Sequence, residues 1–184
     1  MPPDDIFIRA LPDGRIASET EAQVDAIFFE ASGRTFASFQ ERAAFRERWL
    51  GRYLRGGSDV VLVAENRKGA VAGYLVGALE DPATQDRFAD IGYFRGAFRA
   101  LCRRYPAHLH INLSPAYRSR GIGARLIAGF ATCTAAAGVP GVHVVTARDA
   151  RNVRFYARCG FVELAMAPWN DRQVVFLGKP VDLQ

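Results

Sequence analysis

The chain predicts a mixed α/β (α+β) fold, a central sheet of about seven strands flanked by helices, and three observations lead there. Short β-rich apolar runs recur near residues 6–11, 59–64, 70–79, 108–113, 142–146, 161–166 and 173–177. Apolar positions at helical spacing fill the windows around 20–32, 37–54, 85–104 and 124–136. The resulting order is strand, two helices, hairpin, strand, helix, strand, helix and terminal hairpin, with the 85–104 helix lying between the third and fourth strands. That order fits a largely antiparallel sheet with one parallel pair at its centre.

Residues 6–11 form the first strand, ended by the turn Pro12-Asp13-Gly14. Val24, Ile27, Phe28 and Ala31 mark the inner face of the first helix, with Ser18 or Thr20 as its cap and Gly33 as its stop. The second helix, residues 37–54, is amphipathic through Phe39, Ala43, Phe45, Trp49 and Tyr53 and ends at Gly56-Gly57. Residues 59–64 and 70–79 pair as a hairpin around a loop at 65–69. A further helix over 85–104 stops at Tyr105-Pro106, because proline excludes the preceding residue from the helical region. The last two strands are separated by a turn at Pro168-Trp169-Asn170-Asp171. Neither an internal repeat nor a flexible linker interrupts residues 1–184, so one domain is expected.

With 184 residues, 49% hydrophobic and 23% charged, the chain has the composition of a globular domain with one core. Met1-Pro2-Pro3-Asp4-Asp5 lacks the basic and apolar regions of a secretory signal, and no window reaches 18 uninterrupted apolar residues. A cytoplasmic protein that does not engage a membrane is expected. Cys102, Cys133 and Cys159 are odd in number and scattered, which argues against a disulfide framework and a zinc site. The three histidines, His108, His110 and His143, do not follow standard ligand spacing, so no metal is expected.

The net charge of +5 comes almost wholly from arginine, since Lys68 and Lys179 are the only lysines. Such a balance suits a multiply anionic ligand or a solvated surface. The arginines are spread along the chain and are not interleaved with aromatic residues, which argues against a nucleic-acid groove.

The most informative segment is Arg118-Ser119-Arg120-Gly121-Ile122-Gly123-Ala124, set between the 108–113 strand and the 124–136 helix. Small residues at 121 and 123, opening onto a helix N-terminus, let several backbone N–H groups point at one anion. The segment is not a Walker loop, because no Gly-Lys-Ser/Thr follows. Leu126 occupies the place of the third glycine in a dinucleotide fingerprint.

A second segment narrows the choice of anion. Asn152-Val153-Arg154-Phe155-Tyr156-Ala157-Arg158-Cys159-Gly160-Phe161 follows the 142–146 strand. Together, over about residues 107–163, the two segments resemble the acetyl-CoA core of the GNAT superfamily of N-acetyltransferases. There a strand, an Arg/Gln-x-x-Gly-x-Gly/Ala loop and a helix are followed by a strand, Asn-x-x-x-Tyr and Gly-Phe. The phrase Tyr105-Pro106-Ala107-His108-Leu109-His110-Ile111 is similar to bacterial acetyltransferases related to the acetyltransferase-like C-terminal domain of O-GlcNAcase. That subgroup includes domains thought to have lost catalysis.

The resemblance implies a single GNAT domain whose fourth and fifth strands splay to admit the pantetheine arm like an added strand. It implies acetyl-CoA as co-substrate, with Leu113 beside the pantetheine. The pyrophosphate rests on the N–H groups of Arg118, Ser119, Arg120, Gly121, Ile122, Gly123 and Ala124. Arg125 or Arg154 is then left to pair with phosphate oxygens. It further implies that Asn152 contacts the CoA arm and that Tyr156 returns a proton to the departing thiolate. The two are four residues apart and share a helix face.

A base is also required, because an alkylamine of pKa ~10.4 is neutral in only about one molecule in 2,500 at pH 7. His108 and His110 alternate onto one strand face, and an imidazole near pKa ~6.5 suits neutral pH. A His pair on this strand resembles the arrangement in arylalkylamine acetyltransferases, while a hydrogen-bonded core role accounts for each equally well. Asn112 cannot be a base, although relatives of the subgroup often carry Asp there. Apart from Arg154 and Arg158, nothing near Cys159 in sequence would activate it, which favours direct transfer over an acetyl-cysteine intermediate.

The function expected is acetyl transfer from CoA to an amine of a small molecule, peptide or protein. The alternative is a catalytically idle acyl-CoA-binding module serving as a sensor or interaction domain. Glu80, Asp81 and Asp90, which might greet a cationic amine, also read as solvated loop charges. A monomer or a homodimer is compatible with the sequence.

Overall fold

Seven strands form one sheet in the computed structural model, which describes residues 5–11, 16–55 and 59–182. They are β1 (Ile6–Leu11), β2 (Asp59–Asn66), β3 (Val71–Ala78), β4 (Ala107–Leu113), β5 (Gly141–Ala147), β6 (Val162–Trp169) and β7 (Arg172–Pro180). Their order across the sheet is β1-β2-β3-β4-β5-β7-β6. The β1–β2, β2–β3, β5–β7 and β6–β7 pairs are antiparallel, and β4 with β5 is the parallel pair. That parallel ladder holds two residue pairs, Ala107 with Val142 and His108 with His143. The expected mixed α/β sheet is therefore present, and the helices flank it.

The chain divides into two compact units, Met1–Ala78 with His110–Phe130, and Leu79–Leu109 with Ala131–Gln184. In the first, helix α1 (Ser18–Ser32) buries Val24, Ile27 and Phe28 and stops at Gly33, whose φ of 59° is the left-handed conformation that glycine adopts without cost. Neither Ser18 nor Thr20 caps it; the N-cap position is Ala17, with no side-chain cap bond. Helix α2 (Phe39–Trp49) is capped by Ser38, whose hydroxyl accepts from the Glu41 N–H at 3.1 Å.

The helix expected over 37–54 is shorter and less buried than its pattern implied, since α2 has no buried residue and Phe39 is 77% exposed. Leu50 leaves helical geometry and the chain tightens into a 3₁₀ turn at Gly51–Tyr53. That change of direction drives Leu50 and Tyr53 fully into the core. The expected stops at Pro12-Asp13-Gly14 and Gly56-Gly57 lie outside the described residues.

In the second unit the helix expected over 85–104 is broken into a 3₁₀ turn at Asp86–Phe88, α3 (Gly92–Arg95) and α4 (Arg99–Arg104). Glycine is the cause at Gly96, where a Cβ would sit 3.0 Å from the Gly92 carbonyl oxygen. The breaks let Tyr93 turn inward together with Phe88, Ile91, Phe94, Phe98 and Cys102, although on one straight helix it would face away from them. Burial pushes the Cys102 thiol up to about 12, helped by nearby Asp81, so it is an inert core group.

Helix α5 (Ile122–Ala136) and helix α6 (Asn152–Arg158) follow β4 and β5. The terminal hairpin is tighter than expected. Pro168 and Trp169 stay in β6, and only Asn170, in the left-handed region at φ 50°, and Asp171 turn. An edge strand tolerates the proline, and Trp169 is held by the Tyr93 ring, 4.8 Å away between centroids. Among the described residues no helix is long and apolar enough to cross a membrane.

Candidate active site

Beyond Leu113 the chain makes a 3₁₀ turn at Pro115–Tyr117, then extends at Arg118 before entering α5 at Ile122. Ser119 (φ 60°) and Gly121 (φ 76°) are both left-handed. Left-handed residues interspersed with extended and helical ones can turn successive N–H groups toward one anion, and a helix N-terminus favours negative charge. A Cβ on Gly121 would meet nothing within 4 Å, so the glycine answers to its φ and not to crowding. The left-handed backbone at Ser119 has no sequence signal, whereas that at Gly121 follows from glycine. Gly123 lies buried in the first turn of α5, beside a buried Ile122 and an exposed Ala124.

The arginines around this loop are partly committed. Arg118 Nε donates to the Leu113 carbonyl at 3.1 Å, and the Arg120 guanidinium lies 5.6 Å from the Tyr117 ring centroid. Of the two arginines expected to pair with phosphate, Arg125 donates from Nη2 to the Ile6 carbonyl at 2.9 Å, tying α5 to β1. Leu113 itself fixes a close strand contact, since a Cβ on Gly73 would run into its Cδ2.

In the second unit, Asn152 and Tyr156 occupy one face of α6, which begins at Asn152. The Thr146 hydroxyl donates to Asn152 Oδ1 at 3.1 Å, leaving the amide N–H groups of Asn152 directed as donors. The helix ends in a Schellman motif: Gly160, at φ 86°, donates to the Ala157 carbonyl and Phe161 donates to the Tyr156 carbonyl. Tyr156 is 3% exposed, and burial, with a smaller contribution from Cys159, holds its hydroxyl well above the ordinary phenol range. Protonating a thiolate whose acid has pKa ~8.5 from an ordinary phenol of pKa ~10 is uphill by about 2 kcal/mol, and this burial makes it steeper.

The two candidate bases stand in different surroundings. His108 is buried in the second unit among the rings of Phe88 (4.7 Å), Phe94 (5.5 Å) and His143 (5.5 Å, stacked). His110 is half-buried in the first unit, meeting Trp49 and Tyr53 edge-on at 5.4 and 5.3 Å. Its Nε2 lies 3.2 Å from the Tyr53 hydroxyl. Desolvation, and then the charge of Arg52, push the His110 imidazole down to about 4, so it is neutral at pH 7 but a weaker base than the expected 6.5.

Asn112 Nδ2 donates to the Tyr74 hydroxyl at 2.8 Å. Sequence pattern places Tyr53 on a helix face and Tyr74 in an apolar strand, and neither position signals these hydroxyl contacts. Glu80 pairs with Arg87 at 3.3 Å and Asp81 accepts from the Ala83 N–H, so both have local structural work. Cys159 is no better activated than expected, since burial raises its thiol despite Lys179 and Arg158.

A seven-stranded mixed sheet with one parallel pair, β4 with β5, and helices at its flanks is the architecture of an acetyltransferase-type domain. The chain belongs to the GNAT acetyltransferase family: the family model described as acetyltransferase (GNAT) domain matches residues 57–163. Solved structures share the fold. One is SsHAT, 21% identical with a TM-score of 0.71, covering 97% of this chain and 99% of its own. A GCN5-related N-acetyltransferase from Kribbella flavida is 15% identical, TM-score 0.66, with 97% and 99% covered. The yncA protein of Salmonella typhimurium, solved with acetyl-CoA, is 19% identical, TM-score 0.60, with 98% and 96% covered.

Proposed function

We propose that the protein is an acetyl-CoA-dependent N-acetyltransferase that moves the acetyl group directly to an amine of a small molecule, peptide or protein. The observation that carries this reading is the loop of residues 118–124. Its left-handed Ser119 and Gly121 and its opening onto α5 suit the pyrophosphate of CoA. The acetyl-CoA held by yncA supports the choice of that anion. Arg118, Ser119, Arg120, Gly121, Ile122, Gly123 and Ala124 hold the pyrophosphate, Leu113 lies along the pantetheine, and Asn152 donates to the CoA arm.

Tyr156 returns the proton to the departing thiolate, and His110 takes the proton from the amine. His108 serves the core, because an acceptor cannot approach a side chain that is 2% exposed and enclosed by three rings. The raised thiol of Cys159 supports direct transfer without a covalent intermediate.

The burial of Tyr156 favours a second reading, a catalytically idle acyl-CoA-binding module, since a weakly acidic phenol contributes little to leaving-group protonation. A thiol-release assay over amines, peptides and aminosugars separates the two. Acceptor-dependent release of CoA supports the enzyme. Binding of acetyl-CoA with no release on any acceptor supports the idle module.

A further inference from the structure

The Tyr53–His110 contact lies wholly within the first unit and joins a fully buried hydroxyl to a half-buried imidazole. We infer that Tyr53 is a positioning residue for His110: it occupies Nε2, holds the ring proton there, and leaves Nδ1 as the nitrogen that exchanges protons with an acceptor. The inference rests on the acetyltransferase reading of His110.

Three observations lead to it. Tyr53 Oη and His110 Nε2 are 3.2 Å apart, so that nitrogen is turned toward a hydroxyl with no solvent exposure. It is therefore not the nitrogen an incoming amine meets. The ring is also fixed in plane, by the edge of Trp49 on one contact and by Tyr53 on the other, at 79° and 68° between planes. Finally, burial and then the charge of Arg52 disfavour the imidazolium, so the resting imidazole is neutral and carries one proton, on Nε2 where Tyr53 Oη accepts and on Nδ1 where Tyr53 Oη donates.

Of the two tautomers, a proton on Nε2 donating to Tyr53 Oη is the one that leaves a bare Nδ1 lone pair. When the amine nitrogen attacks the thioester carbonyl, its N–H proton passes to Nδ1, the imidazolium forms, and Nε2–H stays bonded to Tyr53. The hydroxyl thus plays the part that a carboxylate plays beside other catalytic histidines, without adding a charge that would raise the basicity of the ring.

The test is long-range proton–nitrogen correlation spectroscopy of the ¹⁵N-labelled full chain at pH 7, with His110→Gln to assign the signal. The expected result is a His110 ring protonated at Nε2 and bare at Nδ1, and a Tyr53→Phe ring that loses this preference and samples both tautomers. A proton on Nδ1 in the wild-type protein, or an unchanged spectrum in Tyr53→Phe, overturns the inference. Because the wild-type spectrum does not depend on Tyr53→Phe, misfolding of that variant does not shield the idea. Titration of the same samples with acetyl-CoA reads the proposed function separately.

Discussion

The Phe161 N–H donates to the Tyr156 carbonyl at 3.1 Å, and the two rings meet edge-on with centroids 5.6 Å apart. The residue after the helix-stopping glycine is thereby bonded, by backbone and by side chain, to the residue proposed as the general acid. The Asn-x-x-x-Tyr and Gly-Phe phrases are mechanically one device: Gly160 reverses the chain so that Phe161 returns over the last turn and sets the position of the tyrosine ring.

That device makes Gly160 a sensitive point. An alanine there must adopt φ near 86°, at a cost of about 1–2 kcal/mol. Gly160→Ala should lower stability by that amount in urea titration. A loss in kcat larger than any loss in acetyl-CoA affinity should accompany it, because Tyr156 moves while the loop at 118–124 does not change.

Removing the Tyr156 hydroxyl tests its chemistry. Tyr156→Phe should lower kcat by ~100- to 10,000-fold, the range of general acid catalysis, and leave acetyl-CoA affinity unchanged. Unchanged turnover, with chemistry shown to be rate-limiting, would remove Tyr156 from the mechanism.

Gly121 is free of crowding, so its substitution isolates backbone strain. Gly121→Ala should cost about 1 kcal/mol at φ 76° and, if the loop relaxes away from its N–H array, weaken acetyl-CoA binding by about five- to tenfold. Calorimetric titration reads both the affinity and the stoichiometry.

His110 sets a pH dependence whose sign follows from its direction of shift. Its folded pKa, about 4, lies below the unfolded value near ~6.5, so between these pH values the unfolded chain binds more protons. Its contribution is present above pH ~6.5 and is lost as pH falls toward 4, reaching about 3 kcal/mol. Urea midpoints of wild type should therefore fall from pH 7 to pH 5 more steeply than those of His110→Gln. Parallel pH profiles would contradict the assignment.

Much of the fold was legible because period and punctuation agreed: β1 and the Gly33 stop follow from local pattern alone. The loop and the Asn/Tyr helix were legible for the same reason, being short segments whose glycines and spacing carry their geometry. The 85–104 region misled because apolar residues at nearly every third or fourth place read as one helix. The inward packing of Phe88, Phe94 and Phe98 instead comes from separate turns hinged at glycines. Tyr53 was read as a helix-face residue because only tertiary structure brings a residue 57 positions earlier onto His110. For the same reason the spacing of His108 and His110 could not reveal that one is enclosed by rings and the other hydrogen-bonded to a hydroxyl.

The central claim is that this loop holds acetyl-CoA. Calorimetric titration of the full chain with acetyl-CoA and, separately, with S-acetylpantetheine, which lacks the pyrophosphate and nucleotide, tests it most directly. The account predicts saturable one-to-one binding of acetyl-CoA and affinity for acetylpantetheine weaker by at least about tenfold. Equal affinity for the two, or no binding of acetyl-CoA, would contradict it.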